Sequence, residues 1–553
     1  MSDAPAPRSR LRRWGRRALR AGLVLLGLAA AFLVWVWVTC FAEPPPLGPG
    51  DAAGRALVRT SDAEGRLHLG PSWFLRRPGG SLLRLEGGPY ALGWSSAVLT
   101  AELLERQERE LMGTVERFLP SRLSRLGVGL LVLVNNRSLP AHVPLALQLE
   151  IRGLADGRPG DPYPELGPRY HRVLNYHAAH DISHWVWDRP PAGCTAFAAR
   201  GERTGGRLLV ARAFDWEAGR HFDENKVIAA VHPAGGHAFL SVSWPGMAGA
   251  VTGINARRVW CSLNGAHSSD RGRIGRPVSL VVRQVLEQAD DLAEAIEIIR
   301  QAPVFVADSY LVADGKSGEA AVVERTPARC AVRRLEGELL LQTNHFESPE
   351  LAGDEGNRAY LEEGTSAPRL ARLDELLRAA PVIDPAAAVA ILRDRRGPGG
   401  APRALGHRGT IDALVATHAV VADVSAGILW VSRGPCSLGA FEAHTLEGFG
   451  APAADPIPAD PLLAQGGWER VQELRGLVEA ARAAGLPLPD AARAGLRRAL
   501  ELEPLDPDAL LLLGRDALGR GAGDEAAALL RRAEDAAPPF LAQRRELERA
   551  LAH

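Results

Sequence analysis

The sequence predicts an α+β fold in which two β-sheets carry helices on their outer faces. An N-terminal transmembrane helix precedes them and a small α-helical region follows. Three observations predict it. Between residues 194 and 449, strand-like, helical and again strand-like segments succeed one another, the order expected when helices cover packed sheets. Residues 21–42 run without a charge directly behind seven arginines. A proline-rich stretch, 450–462, precedes sequence that reads as helical to its end. The 553 residues suffice for two or three domains and a large core. Lys and Arg (65) balance Asp and Glu (65), so the charge points to no nucleic-acid partner.

Residues 1–20 form a basic segment and residues 21–42 a membrane anchor. About 20 apolar residues cross a bilayer as a helix, and Trp35 and Trp37 stand where an interfacial belt forms. Arginines remain cytoplasmic, which puts the rest of the chain on the extracytoplasmic side as a single-pass protein. The competing reading is a cleaved signal peptide, with Cys40-Phe41-Ala42 as a poor cleavage site. Residues 43–65 are a linker rich in Pro, Gly and Ala.

Residues 66–96 read as short strands and turns, 99–118 as a helix, and 126–134 as an apolar stretch of either type. Before Cys194 stand His171, His177, His180 and His184. The last three share one helical face. No Glu of an H-E-x-x-H pattern accompanies them, so polar packing is the reading and no metal is assigned. Beyond Cys194, residues 207–213, 237–244, 250–264, 309–325 and 339–346 read as strands. Residues 277–300 form two helices broken at Asp290-Asp291, 368–380 form another, and Asp384-Pro385 starts the next. Residues 395–408 are a Gly/Pro loop and 417–432 a hairpin. In the last segment, 463–553, a helix–turn–helix with Gly514 and a closing Pro538-Pro539 resembles a tetratricopeptide repeat. One repeat cannot bury its own faces. It must pack on the main domain, on its neighbouring helices or on a protein partner.

Five cysteines are scattered without C-x-x-C spacing. Neither structural zinc nor a disulfide scaffold is indicated, although a bridge or two is compatible with an extracytoplasmic chain. Chemistry concentrates at Gly193-Cys194-Thr195 and the strand ending Arg212-Ala213-Phe214-Asp215-Trp216. If the chain cuts itself after Gly193, Cys194 becomes N-terminal. Its freed amine is then a built-in base for its own thiol. Arg212 and Asp215 can tune that pair.

This pattern resembles the peptidase C45 group, the acyl-coenzyme A:6-aminopenicillanic acid acyltransferase-like N-terminal-nucleophile hydrolases. Bile salt hydrolases, penicillin V acylase and acid ceramidase are its more distant relatives. The resemblance runs from about Leu85 to about Phe441. It implies a four-layer αββα sandwich, with residues 66–193 as pro-segment and 194–449 as catalytic domain. It also implies that Cys194 is the nucleophile, Arg212 supports it and Asp215 holds the free amine. Asn264, Asn344 and the buried Arg369 of a late S-x-x-R would line the oxyanion site. Ala213 stands where the group commonly has Asn. The implied activity is hydrolysis or transfer of an acyl group from a small-molecule amide or acyl thioester, with no cofactor or metal. The rivals are a lipid amidase of the ceramidase type and a non-catalytic, membrane-tethered scaffold that binds protein through its helical tail.

Overall fold

The computed structural model describes residues 8–186, 193–217 and 219–552. Two sheets organise it. The larger has eleven strands, in spatial order Thr60–Ser61, Leu67–Leu69, Ser72–Leu75, Ser81–Gly87, Val227–Pro233, Phe239–Ser243, Thr252–Asn255, Val259–Gly265, Asp308–Asp314, Glu319–Arg325 and Cys330–Arg334. The smaller has six, Leu339–Gln342, Thr195–Ala199, Leu209–Asp215, Ala416–Asp423, Ile428–Ser432 and Phe441–His444. Pairing is antiparallel except between Ser81–Gly87 and Val227–Pro233, which run parallel in register from Ser81 opposite Val227 to Gly87 opposite Pro233.

Alternation along the strands explains how the layers bury their faces. One core draws Leu82, Ile228, Leu240 and Leu311 from the large sheet and Ala196, Val210, Val420 and Val431 from the small one. Neighbouring residues face the other way. Leu83, Val231 and Leu263 join Leu92, Ile151, Val281 and Ile299 of helices Pro89–Leu99, Leu145–Asp156, Val278–Gln288 and Leu292–Gln301. Phe197, Leu209 and Val421 join Leu373, Leu377, Val389 and Leu392 of helices Ser366–Ala379 and Pro385–Leu392. Strands Thr195–Ala199 and Leu209–Asp215 are buried along their whole length, which fixes the surroundings of Cys194.

Several elements differ from the sequence expectation. Residues 66–96 include the start of helix Pro89–Leu99, where an extended Gly88 precedes Pro at the first helical position. The ambiguous 126–134 stretch is helical, Arg122–Asn135, and Ser121 caps it by accepting from the Ser124 N–H. Strand Val227–Pro233 carries an apolar run whose period does not separate strand from helix. All five cysteines are free thiols.

The expected linkers are not free tethers. Within 43–65, Asp51–Ala56 is a 3-10 helix, and Arg55 donates to the Tyr90 hydroxyl at 2.7 Å and pairs with Asp156 at 2.5 Å. Within 450–462, Ile457 exchanges two backbone hydrogen bonds with Phe441, both 2.9 Å, extending the small sheet. The 193/194 boundary divides no structural unit, since strands on both sides of it share the large sheet.

Helix Arg8–Thr39 contains a stretch, Arg17–Thr39, long and apolar enough to cross a membrane, with mean hydropathy 2.4. Its end is anchored, for Cys40 and Ala42 are buried and the Ala42 N–H donates to His171 Nδ1 at 3.1 Å. Helix Arg122–Asn135 exposes Leu123, Leu126 and Leu131. At the other end, helices Gly467–Ala484, Asp490–Leu502, Pro507–Gly519, Gly523–Asp535 and Leu541–Leu551 bury two small cores of their own. They also dock on the sheet domain. Val471 packs with Leu414 and Leu438, Arg475 donates to the Ala413 and Leu414 carbonyls, and His407 Nε2 lies 3.0 Å from the Ala537 carbonyl.

Candidate active site

Cys194 lies immediately before strand Thr195–Ala199, which pairs with Leu209–Asp215 so that Ala196 faces Arg212. This pairing brings Cys194 and Asp215 together. The Asp215 carbonyl accepts from the Gly193 N–H at 3.2 Å and lies 3.9 Å from Cys194 Sγ. The thiol is fully buried among apolar side chains. Burial pushes its pKa up, while the Arg212 and Arg369 guanidinium groups pull it back.

Two arginine–asparagine pairs flank the sulfur. Arg212 donates to the Val251 carbonyl (2.9 Å), Thr252 Oγ1 (2.6 Å), the Leu263 carbonyl (2.7 Å) and Asn264 Oδ1 (3.2 Å). Its guanidinium lies 4.6 Å from the Phe214 ring centre. Arg369 donates to the Cys194 carbonyl, to Thr195 Oγ1 (2.9 Å) and to Asn344 Oδ1 (2.7 Å). The asparagines complete the frame. Asn264 Nδ2 donates to the Thr343 carbonyl (3.0 Å) and Asn344 Nδ2 to the Gly265 carbonyl (2.8 Å). Both guanidinium groups and both amides are fully buried. Burial at this cost is tolerated where nearly every donor has a partner. Each amide thus spends its oxygen on a guanidinium and one N–H on a carbonyl, which leaves one N–H for a ligand.

Helix Ser366–Ala379 explains the second pair. Ser366 and Arg369 occupy its first turn, so both point back at the loop 343–345. Ser366 Oγ accepts from the Asn344 N–H at 2.8 Å and lies 2.8 Å from Thr343 Oγ1 and from His345 Nδ1.

Asp215 Oδ2 faces Arg408 Nη1 at 3.5 Å, and Arg408 also pairs with Glu217. Burial raises the Asp215 carboxyl to about 6, and Arg408 and Arg369 oppose the rise. Gly193 sits against the same pair. A Cβ built there would lie 2.9 Å from Arg408 Nη2 and 3.3 Å from Asp215 Oδ2. A larger residue before Cys194 would therefore have to move the Arg408 guanidinium.

All six predicted residues, Cys194, Arg212, Asp215, Asn264, Asn344 and Arg369, are brought into this one network. Sequence reasoning missed Arg408, since an arginine in a Gly/Pro loop carries no periodic signal. It also missed Thr252, which bridges Arg212 to His418 Nε2 at 2.8 Å. Of the other histidines nearby, His345 lies against Ser366 and burial lowers it to about 4, whereas His407 faces the tail.

Two spaces adjoin the network. A cavity of 110 Å³ is lined by Phe214, Trp216, Phe222, Trp244, Leu104 and Val251 among others. A larger groove of 990 Å³ runs from Arg408 and Glu217 between the sheet domain and the tail, past Trp468 and Phe540. The first is apolar and suits an aliphatic or aromatic group. The second reaches the carboxylate side of the site.

The sequence model of the family described as acyl-coenzyme A:6-aminopenicillanic acid acyl-transferase matches residues 202–406. An uncharacterized protein of Archaeoglobus fulgidus is 27% identical over 311 residues, 52% of this chain and 50% of its own length. Protein dcd1A of Dictyostelium discoideum is 25% identical over 202 residues, 33% of this chain and 41% of its own. The chain spans about half the length, or less, of these curated relatives. Among solved structures, the Caenorhabditis elegans N-acylethanolamine-hydrolyzing acid amidase ortholog aligns at 17% identity over 42% of this chain and 93% of that one, with TM-score 0.31. Penicillin V acylase from Agrobacterium tumefaciens aligns at 13% identity over 43% and 82%, with TM-score 0.27.

Proposed function

We propose, from the match of residues 202–406 to the sequence model described as acyl-coenzyme A:6-aminopenicillanic acid acyl-transferase, that this protein is a self-processing N-terminal-cysteine hydrolase or acyltransferase acting on amides or acyl thioesters. One observation carries the reading. The six residues singled out in the sequence come together, two guanidinium groups and two amides packed about Cys194, with the Asp215 backbone carbonyl 3.9 Å from its sulfur and the Asp215 carboxylate beside Gly193 and Arg408.

In maturation, Cys194 Sγ attacks the Gly193 carbonyl carbon. The C–N bond breaks as the acyl group passes from nitrogen to sulfur, and the freed nitrogen takes the proton. Water then hydrolyses the thioester, leaving a carboxylate on Gly193 and both a thiol and an α-amine on Cys194. Gly193 suits this step, because a side chain there would have to displace the Arg408 guanidinium from beside Asp215. In turnover the α-amine accepts the thiol proton and sulfur attacks the acyl carbon. The remaining N–H groups of Asn264 and Asn344 stabilise the oxyanion, a contribution of about 3 kcal/mol for one well-placed donor. The leaving amine or thiol takes the proton from the α-ammonium, and water or an amine acceptor releases the acyl group. Arg212 and Arg369 favour the thiolate. Asp215, beside Arg408, holds the amine in position. The apolar cavity at Phe214 and Trp216 supports an apolar acyl group.

We further assign residues 66–193 to the pro-segment, which is also the N-terminal part of the hydrolase fold, and 194–449 to the catalytic domain. Residues 21–42 hold the protein in a membrane with the catalytic chain on the extracytoplasmic face, the seven arginines remaining inside. N-terminal sequencing and intact-mass measurement of active protein test maturation. The expected result is a second terminus beginning Cys194-Thr195-Ala196. Full activity in an uncut chain would overturn it.

A further inference from the structure

We propose that His180, His184 and Asp308 bind one divalent first-row transition-metal ion, zinc in preference, at a site beside the Cys194 network, His180 also lining the apolar cavity at Phe214 and Trp216. His180 and His184 are four residues apart on helix Ala179–Val186 and so share a face. Their rings lie 4.3 Å apart. Asp308 opens strand Asp308–Asp314, beside Gly265 and Arg325. One ligand atom from each of the three residues lies within 4.8 Å of the others.

A second, independent observation points to a ligand. Among the described residues, both oxygens of Asp308, both ring nitrogens of His180 and Nε2 of His184 have no hydrogen-bond partner. The nearest approach is His180 Nε2 to Asp308 Oδ1 at 3.9 Å, an ion contact too long for a hydrogen bond. Asp308 is 1% exposed and His184 6%. Asp181, also fully buried, adds a second carboxylate close by, its oxygens 3.2 and 3.4 Å from the Val278 N–H. Buried carboxylates and imidazoles without partners are costly, and a dication satisfies all three groups at once.

The donor set selects the ion. Two imidazole nitrogens and one carboxylate oxygen suit zinc and its neighbours, whereas magnesium and calcium prefer all-oxygen shells. Ligand bonds of about 2.0–2.1 Å in a tetrahedron hold donors roughly 3.4 Å apart, so the three side chains close by about an ångström on loading. His177, which the sequence places on the same helical face, lies outside the site. Its Nδ1 contacts the Val173 carbonyl and its Nε2 accepts from the Ala248 N–H. The polar-packing reading holds for His177 and is replaced for the other two.

His184 lies nine residues before Gly193, whereas Asp308 belongs to the other side of the proposed cut. The ion therefore pins helix Ala179–Val186 onto the large sheet. Binding itself does not rest on cleavage, so wild type and an uncut Cys194→Ala chain serve in parallel. Full-length protein in detergent is stripped with chelator and titrated with Zn²⁺, read by elemental analysis and thermal unfolding. A second stripped, zinc-free sample is titrated with Co²⁺ and read by its visible absorption. Both chains are expected to take up one ion, with a rise in Tm and cobalt bands of low-symmetry nitrogen/oxygen coordination. His184→Ala and Asp308→Asn should each weaken Zn²⁺ binding at least about 100-fold. If Asp308→Asn fails to fold, His184→Gln carries the test. A wild-type chain that takes up no stoichiometric Zn²⁺ and shows no Tm shift overturns the site. Undiminished binding in the folded His184 variants does so too.

Discussion

The Cys194 network and the His180–His184–Asp308 cluster bury comparable charge and treat it in opposite ways. Around Cys194, Arg212 and Arg369 distribute their donors over carbonyls, hydroxyls and the two asparagine oxygens. Around Asp308 the acceptors and imidazoles face one another without hydrogen bonds. A network satisfied except at the Arg212 and Arg369 Nε groups is held in place before any substrate arrives, which is what electrostatic preorganisation requires. An unsatisfied cluster is incomplete as a polypeptide and calls for something the chain does not supply. Burial alone therefore does not mark a reaction centre, whereas the fate of the hydrogen bonds separates a prepared site from a receptive one.

The difference can be broken or sharpened by experiment. The largest effect belongs to the sulfur itself. Cys194→Ala should yield one uncut polypeptide and lower turnover by at least about 10³-fold, as measured with an acyl-amide panel and intact mass. Next comes Gly193→Val, which should stall the cut while leaving the fold assembled. Its product is expected to run as a single chain with near-native circular dichroism, and rapid processing would remove the steric argument. Arg369→Met leaves the Cys194 carbonyl, Thr195 Oγ1 and Asn344 Oδ1 without their donor. A loss of about 3 kcal/mol in unfolding free energy follows, readable in denaturant melts. Chelation at the histidine cluster should cost stability without abolishing processing, the converse of the Cys194 variant.

The smallest effect concerns pH. Burial raises Asp215 to about 6, so the folded state binds a proton that the unfolded chain releases near pH 4. Its contribution to stability is thus greatest at low pH and is lost as pH rises through about 6. Activity should run the other way, increasing to a plateau above that value as the carboxylate forms. Arg408 lowers the Asp215 pKa, so Arg408→Gln should move the acid limb of the kcat/KM profile upward. An unmoved limb would assign the titration to another group.

Much of this was legible because several signals are local. Asp291 and Asp384 cap their helices by accepting from the Glu294 and Ala387 N–H groups, and such caps can be read from a few residues. The Cys194, Arg212 and Asp215 positions followed from the motif and its resemblance, and their strand pairing brings them together. Arg408 was illegible, because it reaches Asp215 from a loop nearly two hundred residues away. Asp308 was hidden in the same way, since a strand end with no spacing to His180 gives no metal-ligand pattern. The docking of the tail on Leu414 and Leu438 is likewise non-local. The helix Pro89–Leu99 was misread because its leucines and tyrosine fit either period over so short a span.

The parallel pairing of Ser81–Gly87 with Val227–Pro233 has a consequence for the processed protein. If the chain is severed at residue 193, the N-terminal piece still supplies four consecutive strands of the large sheet, joined through Ser81–Gly87 to the edge of the seven that the other piece contributes. A denaturing gel would then show two bands where a native gel shows one particle. Separating the two pieces would demand unzipping that seam, so their release from one another should track unfolding and not scission.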